Sequence, residues 1–189
     1  MATDITDKPE DGIPLEILIA DPRDYLNLYG YTYLLDKHPV RIVIPVVTGF
    51  SKAVKLAVAL NFAVKLEMRQ PDEESLKEVN EVLDLYLHRS QVRQPIDFFH
   101  TTLASFLHNE PISLWEIAEE VPVVPATDLE CYECEFFNQC AGYFKWPNKT
   151  YRCDGVKSVF RTLANAAQEI RTDLASFEAI EAMEVQAQR

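Results

Sequence analysis

Along the first half of the chain, short apolar runs suited to strands alternate with stretches whose apolar positions recur every three or four residues. Leu15-Glu16-Ile17-Leu18-Ile19-Ala20 reads as a strand. It ends at Asp21-Pro22, where aspartate suits a helix cap and proline the first helical position, so a helix is expected to about Asp36. Arg41 to Val47 is a second β-rich run closed by Thr48-Gly49; Ser51 is then placed to cap a helix whose apolar contacts are Val54, Leu56, Ala57, Val58 and Leu60. Phe62 to Met68 is a third strand. From Pro71 a further helix carries acids in its first turn and His88-Arg89 in its last, matching the helix dipole, while Leu76, Val79, Leu83, Tyr86 and Leu87 trace one face.

Strand followed by helix, three times over, builds a parallel sheet with right-handed crossovers. An eight-unit barrel needs roughly 250 residues, so the expected class is α/β, as a partial (β/α)3 half-barrel or a small open parallel sheet. Such a sheet has edges that must be covered, which implies a homo- or hetero-oligomer. Pro95 to about His108 is expected as a helix facing inward through Ile96, Phe99, Leu103, Phe106 and Leu107, with a shorter one around Leu114 to Glu119. Val121-Pro-Val-Val-Pro125 is proline-stiffened and marks a boundary. The organisation read from this is a disordered tail over 1–14, a partial-barrel domain over 15–120, and a cysteine module over 121–189. That module closes with a long amphipathic helix bearing Val156, Val159, Phe160, Leu163, Ala167, Ile170, Leu174 and Phe177.

Composition narrows the partners. With 18 basic and 30 acidic residues among 189, the net charge is -12, which disfavours nucleic acid, and a 48% hydrophobic share is ample for a core. The N-terminus lacks the basic start and apolar run of a secretory signal. The most apolar stretch, Val40 to Leu66, is interrupted by Arg41, Ser51, Lys52, Lys55, Asn61 and Lys65, short of the roughly 18 apolar residues of a membrane helix. A cytoplasmic protein with no membrane contact is expected.

All 4 cysteines fall in one segment. Two residues separate Cys131 from Cys134, five separate Cys134 from Cys140, and twelve separate Cys140 from Cys153. In a reducing compartment such grouping points to metal before disulfides. Two thiols with a two-residue gap chelate one centre from a single turn, and Cys140 and Cys153 can close either tetrahedral zinc or a cubane iron-sulfur cluster; spacing does not separate the two. Tyr132, Phe136, Phe137, Tyr143, Phe144, Trp146 and Tyr151 offer an aromatic shell. Lys145, Lys149, Arg152, Lys157 and Arg161 make the segment locally basic, which suits thiolates or a docking partner, and Gly142 lets backbone amides approach the sulfurs.

The stretch Cys131-Tyr-Glu-Cys134-Glu-Phe-Phe-Asn-Gln-Cys140-Ala-Gly-Tyr with the later Cys153 resembles the SPASM domain, which follows the catalytic barrel in many radical S-adenosylmethionine (SAM) enzymes that mature peptides and proteins. The resemblance implies that the four cysteines ligate one auxiliary [4Fe-4S] cluster. Where the family usually has a further cysteine for a second auxiliary cluster, this chain has Phe144. It also lacks the CxxxCxxC triad that holds the SAM-cleaving cluster, so it is not a self-sufficient radical SAM enzyme. The implied role is an iron-sulfur accessory protein acting with a radical SAM enzyme in peptide or protein modification, as electron relay or part of a substrate site. The alternative is a zinc-stapled interaction subunit without redox chemistry.

Other polar residues carry less. Lys65 and Glu67 share the face of the third strand opposite Val64, Leu66 and Met68, and Glu16 is placed likewise in the first; either they line a substrate cavity or they form an ion pair on an open sheet. Asp21, Thr48 and Arg69 follow strand ends, where α/β folds bind ligands. Asp84 and His88 share a helical face as a metal or charge pair, and His38, His100 and His108 are candidate bases best explained as packing or loop residues. Trp115 and Trp146 read as core or cluster shielding.

Overall fold

The computed structural model describes residues 11–110, 114, 129–146 and 148–187. Strands β1 (Leu15–Leu18), β2 (Val40–Pro45) and β3 (Ala63–Glu67) form one parallel sheet in the order β1-β2-β3. Ile17, Ile42 and Val64 lie in one row across it, and Ile42, Ile44, Val64 and Leu66 are almost wholly buried, as strands covered by crossovers should be. Beyond β3, Val64 makes a parallel bridge with Ile96, so that edge is partly closed.

Helices α1 (Phe50–Ala59), α2 (Glu73–His88) and α3 (Asp97–His108) follow the second and third strands. α1 packs between the β1–β2 connection and α2, and α3 returns to lie on β3. Short helices α4 (Leu129–Tyr132) and α5 (Phe137–Cys140) carry three of the cysteines with their turns, and α6 (Asp154–Ala187) packs its first half on α2 and α3. Gly155 permits this approach, because a Cβ there would stand 2.3 Å from Leu76 Cδ1. Arg171 binds α6 to the end of α3 by donating from Nη1 to the Phe106 carbonyl at 2.6 Å, a C-terminal cap supplied from another element.

One hydrophobic core runs from the sheet to the cysteine segment, with Phe50, Phe62, Phe99, Phe144 and Phe160 among its fully enclosed side chains. The architecture is thus mixed α/β, as expected, with a small parallel sheet under a predominantly helical layer. Among the described residues no helix is long and apolar enough to cross a membrane. The boundary at Val121–Pro125, Trp115 and residues 1–10 of the expected tail lie outside the described residues; of the short helix expected from Leu114, only Leu114 is described, helical and buried. Next to the tail, Gly12 donates to the Lys37 carbonyl at 2.8 Å, which holds the chain as it enters β1.

Three local expectations are corrected. Asp21 does cap the segment after β1, accepting from the Arg23 amide, but Pro22–Asp36 is a 3-10 helix broken at Asp24 rather than an α-helix. Tyr25, Leu28, Tyr31 and Leu34 pack on the core at every third position, a spacing that matches three residues per turn rather than 3.6. Ser51 does not cap α1: Gly49 is the cap residue, and Glu78 from α2 accepts from the Gly49 and Ser51 amides at 2.6 and 2.9 Å. A full carboxylate at the helix N-terminus displaces the weaker hydroxyl. Lys65 does not stand on an open face; it is 8% exposed, beside buried Val43 in the same row.

Candidate metal centre

Cys131 lies in α4, and the chain turns so that the Cys134 amide donates to the Cys131 carbonyl at 3.1 Å. Cys140 ends α5. The backbone then passes through two left-handed residues, Ala141 at φ 45° and Gly142 at φ 80°, the second of which only glycine adopts without strain. This path turns the amides of Gly142 and Phe144 onto the Cys140 sulfur. Cys153 precedes α6, and its carbonyl accepts from the Lys157 amide at 2.8 Å, opening that helix. All four cysteines are free thiols; Cys131 is buried, and the other three are partly buried against the main core.

The thiols feel one another. Burial pushes the Cys140 thiol up, the two amides pull it down, and Cys131 and Cys134 push it up again. Cys153 is pushed up to about 11, chiefly by burial and then by Cys140, with Lys145 and Lys157 opposing. Burial thus makes Cys140 and Cys153 harder to ionise than a free thiol, a penalty that a bound cation would offset.

The donor chemistry therefore suits a soft, thiophilic centre: four reduced sulfurs, amide hydrogens aimed at one of them, and buried aromatic neighbours. Among the described residues no group of three or more His, Cys, Asp and Glu is arranged to hold a metal ion as it stands. No family model, curated protein or solved structure matches this chain. The resemblance to the SPASM pattern thus rests on Cys131, Cys134, Cys140 and Cys153 and the residues between them.

The surrounding shell is only partly the expected one. Phe136 stacks on Phe160 at 5.2 Å between ring centres, and Phe144 stacks on Tyr151 at 6.4 Å and meets Tyr143 edge-on at 5.3 Å. Tyr132 and Trp146, by contrast, are 62% and 43% exposed. The basic residues do not form a bare patch. Lys145 and Lys157 both reach Glu130, Arg152 pairs with Asp154, and Arg161 pairs with Glu135 and lies 5.9 Å from the Phe136 ring centre.

The segment is tied to the carboxyl end of the sheet. Gln70, just past β3, donates from Nε2 to the carbonyls of Phe144 and Asn148 at 2.7 and 3.0 Å, and the Tyr151 hydroxyl donates to the Pro71 carbonyl at 2.8 Å. Beside Gln70, a shallow cavity of about 470 Å³ is lined by Asp21, Arg23, Thr48 and Ser75 among others. Two of the three strand-end candidates, Asp21 and Thr48, meet there, whereas Arg69 does not line it. Asp21 is engaged by the Arg23 guanidinium, which holds its carboxyl down at about 2, and Glu78 fills the anion position at the start of α1.

The remaining candidates have structural partners. Asp84 and His88 form an exposed pair at 3.1 Å. His100 Nδ1 stands 3.0 Å from the Tyr86 hydroxyl, and His38 is buried with Nδ1 3.1 Å from the Ile13 carbonyl. His108 closes α3. Arg41 on β2 bridges Glu16 on β1 and Asp97 at the start of α3, binding the first two strands to that helix. Glu130 and Gln70 were not legible as site residues. Glu130 had one signal, an acid beside the first cysteine of a basic segment; Gln70 had none, since its partners lie 74 and 78 positions away.

Proposed function

We propose that Cys131, Cys134, Cys140 and Cys153 hold one [4Fe-4S] cluster, and that the chain is an accessory subunit acting with a radical SAM enzyme on a peptide or protein. The observation that carries this reading is the set of four free, mutually interacting thiols in one segment, with two amides directed at Cys140. Amide hydrogens on a ligating sulfur are one of the levers by which a protein sets the potential of such a centre. When bound, the cluster supplies one-electron redox capacity. This chain contributes the ligands, the aromatic packing over them, and the struts from Gln70 and Tyr151.

Its placement supports the same role. The cysteine segment sits against the carboxyl ends of parallel strands, the side on which α/β folds bind substrates. The consecutive order of the three parallel strands, with α3 returning to β3, is compatible with a half-barrel. β1 has one strand partner among the described residues, and Leu18 on it is 62% exposed, leaving an edge through which a partner barrel or a second copy can join.

A zinc staple without redox chemistry has one observation in its favour. The cysteines pack on the same core as the sheet, so a metal of either kind would fasten the segment to the fold. Cys153→Ser separates the two readings. A folded variant that loses the visible absorbance and the EPR signal of anaerobically prepared protein supports the cluster; a variant that unfolds as it loses zinc supports the staple.

A further inference from the structure

Lysine is among the residues least often enclosed by protein, because removing its ammonium from water is costly unless it is paired. Lys145 is 7% exposed, yet its partner Glu130 keeps 56% of its side chain in solvent, at 2.9 Å from Nζ. An ordinary surface pair would leave both groups outside. Here the acid stays out while the base lies in, between α4 and the start of α6, where it interacts with Cys131 and Cys153. Glu130 also reaches Lys157 at 3.7 Å, and so stands between two cations on the solvent side of the thiols. Arg152, 89% exposed and paired with Asp154, points away.

We infer that Lys145 is the fixed positive charge of the four-cysteine site, held by Glu130 so that its ammonium offsets the excess negative charge of the metal-bound thiolates. Four thiolates around a divalent ion, or around a cluster core of the same charge, leave roughly two net negative charges in a partly dry setting. An enclosed ammonium is the compact counter-charge such a site needs. The assignment rests on the proposed sharing of one metal centre by the four cysteines, and concerns the charge beside it, whichever metal is bound. It makes Lys145 a positioning residue for charge and not a ligand.

The test uses the full chain, reduced and metal-free, titrated anaerobically with Co(II) while thiolate-to-cobalt absorption is followed. Wild-type protein should give a tetrathiolate spectrum. Lys145→Met should bind about 10- to 100-fold more weakly, the usual effect of removing a group just behind the ligands, with unchanged far-UV dichroism, and Lys145→Arg should stay within a few-fold of wild type. Equal affinity in a folded Lys145→Met variant overturns the inference and leaves the four-cysteine centre standing. Failure of the wild-type protein to form the tetrathiolate spectrum removes both. If Lys145→Met does not fold, Glu130→Gln decides: an ammonium that has lost the carboxylate holding it should leave cobalt bound several-fold more weakly, and unchanged or tighter binding contradicts the role.

Discussion

At the scale of single residues, Thr102 on α3 holds a buried hydroxyl with no partner among the described residues. An unpaired buried hydroxyl costs stability, so Thr102→Val, close in shape and apolar, should stabilise the chain by about 1 kcal/mol in chemical denaturation. Asp72 has the opposite character. Its carboxylate accepts from the Ser75 amide at 2.8 Å and caps α2, so Asp72→Ala should cost about 1 kcal/mol. That hydrogen bond holds the Asp72 carboxyl below its ordinary value of 3.8. The stabilisation is accordingly complete above that value and fades as pH falls through the lower native one, so wild type and Asp72→Ala should converge in strong acid.

At the scale of elements, the cysteine segment depends on contacts that begin far away in the chain. Gln70→Ala leaves the Phe144 and Asn148 carbonyls without their donor; amide exchange in the segment after Cys140 should quicken, with a loss of about 1–2 kcal/mol in local protection. Unchanged exchange there would show that the segment is held by its own packing. The same distinction explains what was legible beforehand. The strands and α1, α2, α3 and α6 were readable because period and burial agree: Val79 and Leu83 in α2 are buried, and β2 is apolar because helices cover it. The pitch of Pro22–Asp36 was not, since Asp21 and Pro22 mark a start but do not select α over 3-10. Nor was the capping of α1, where Glu78 arrives from another helix. In the cysteine segment the grouping of the four thiols and the place of Gly142 are visible in the sequence, whereas Lys145's enclosure and the contacts of Glu130 and Gln70 depend on folding in three dimensions.

At the scale of the molecule, α6 joins the parts and then outgrows them. Its 34 residues span roughly 51 Å, and one stripe runs along it from Val156, Phe160, Leu163 and Ala167, all buried, to Leu174 and Phe177, at 54% and 61% exposure. Leu163→Ala should therefore cost about 2–5 kcal/mol, while Leu174→Ala changes the stability of the single chain by less than about 0.5 kcal/mol; comparable losses would mean that the distal half is packed in solution. Leu18 on β1 is exposed as well. What the whole arrangement serves turns on the centre proposed for Cys131, Cys134, Cys140 and Cys153. The decisive measurement is iron and acid-labile sulfide per chain in protein purified and reconstituted without oxygen. About four of each, bound by wild type and lost in Cys153→Ser, is the predicted result. Stoichiometric zinc with no sulfide, or a chain that retains neither iron nor sulfide after reconstitution, would contradict it.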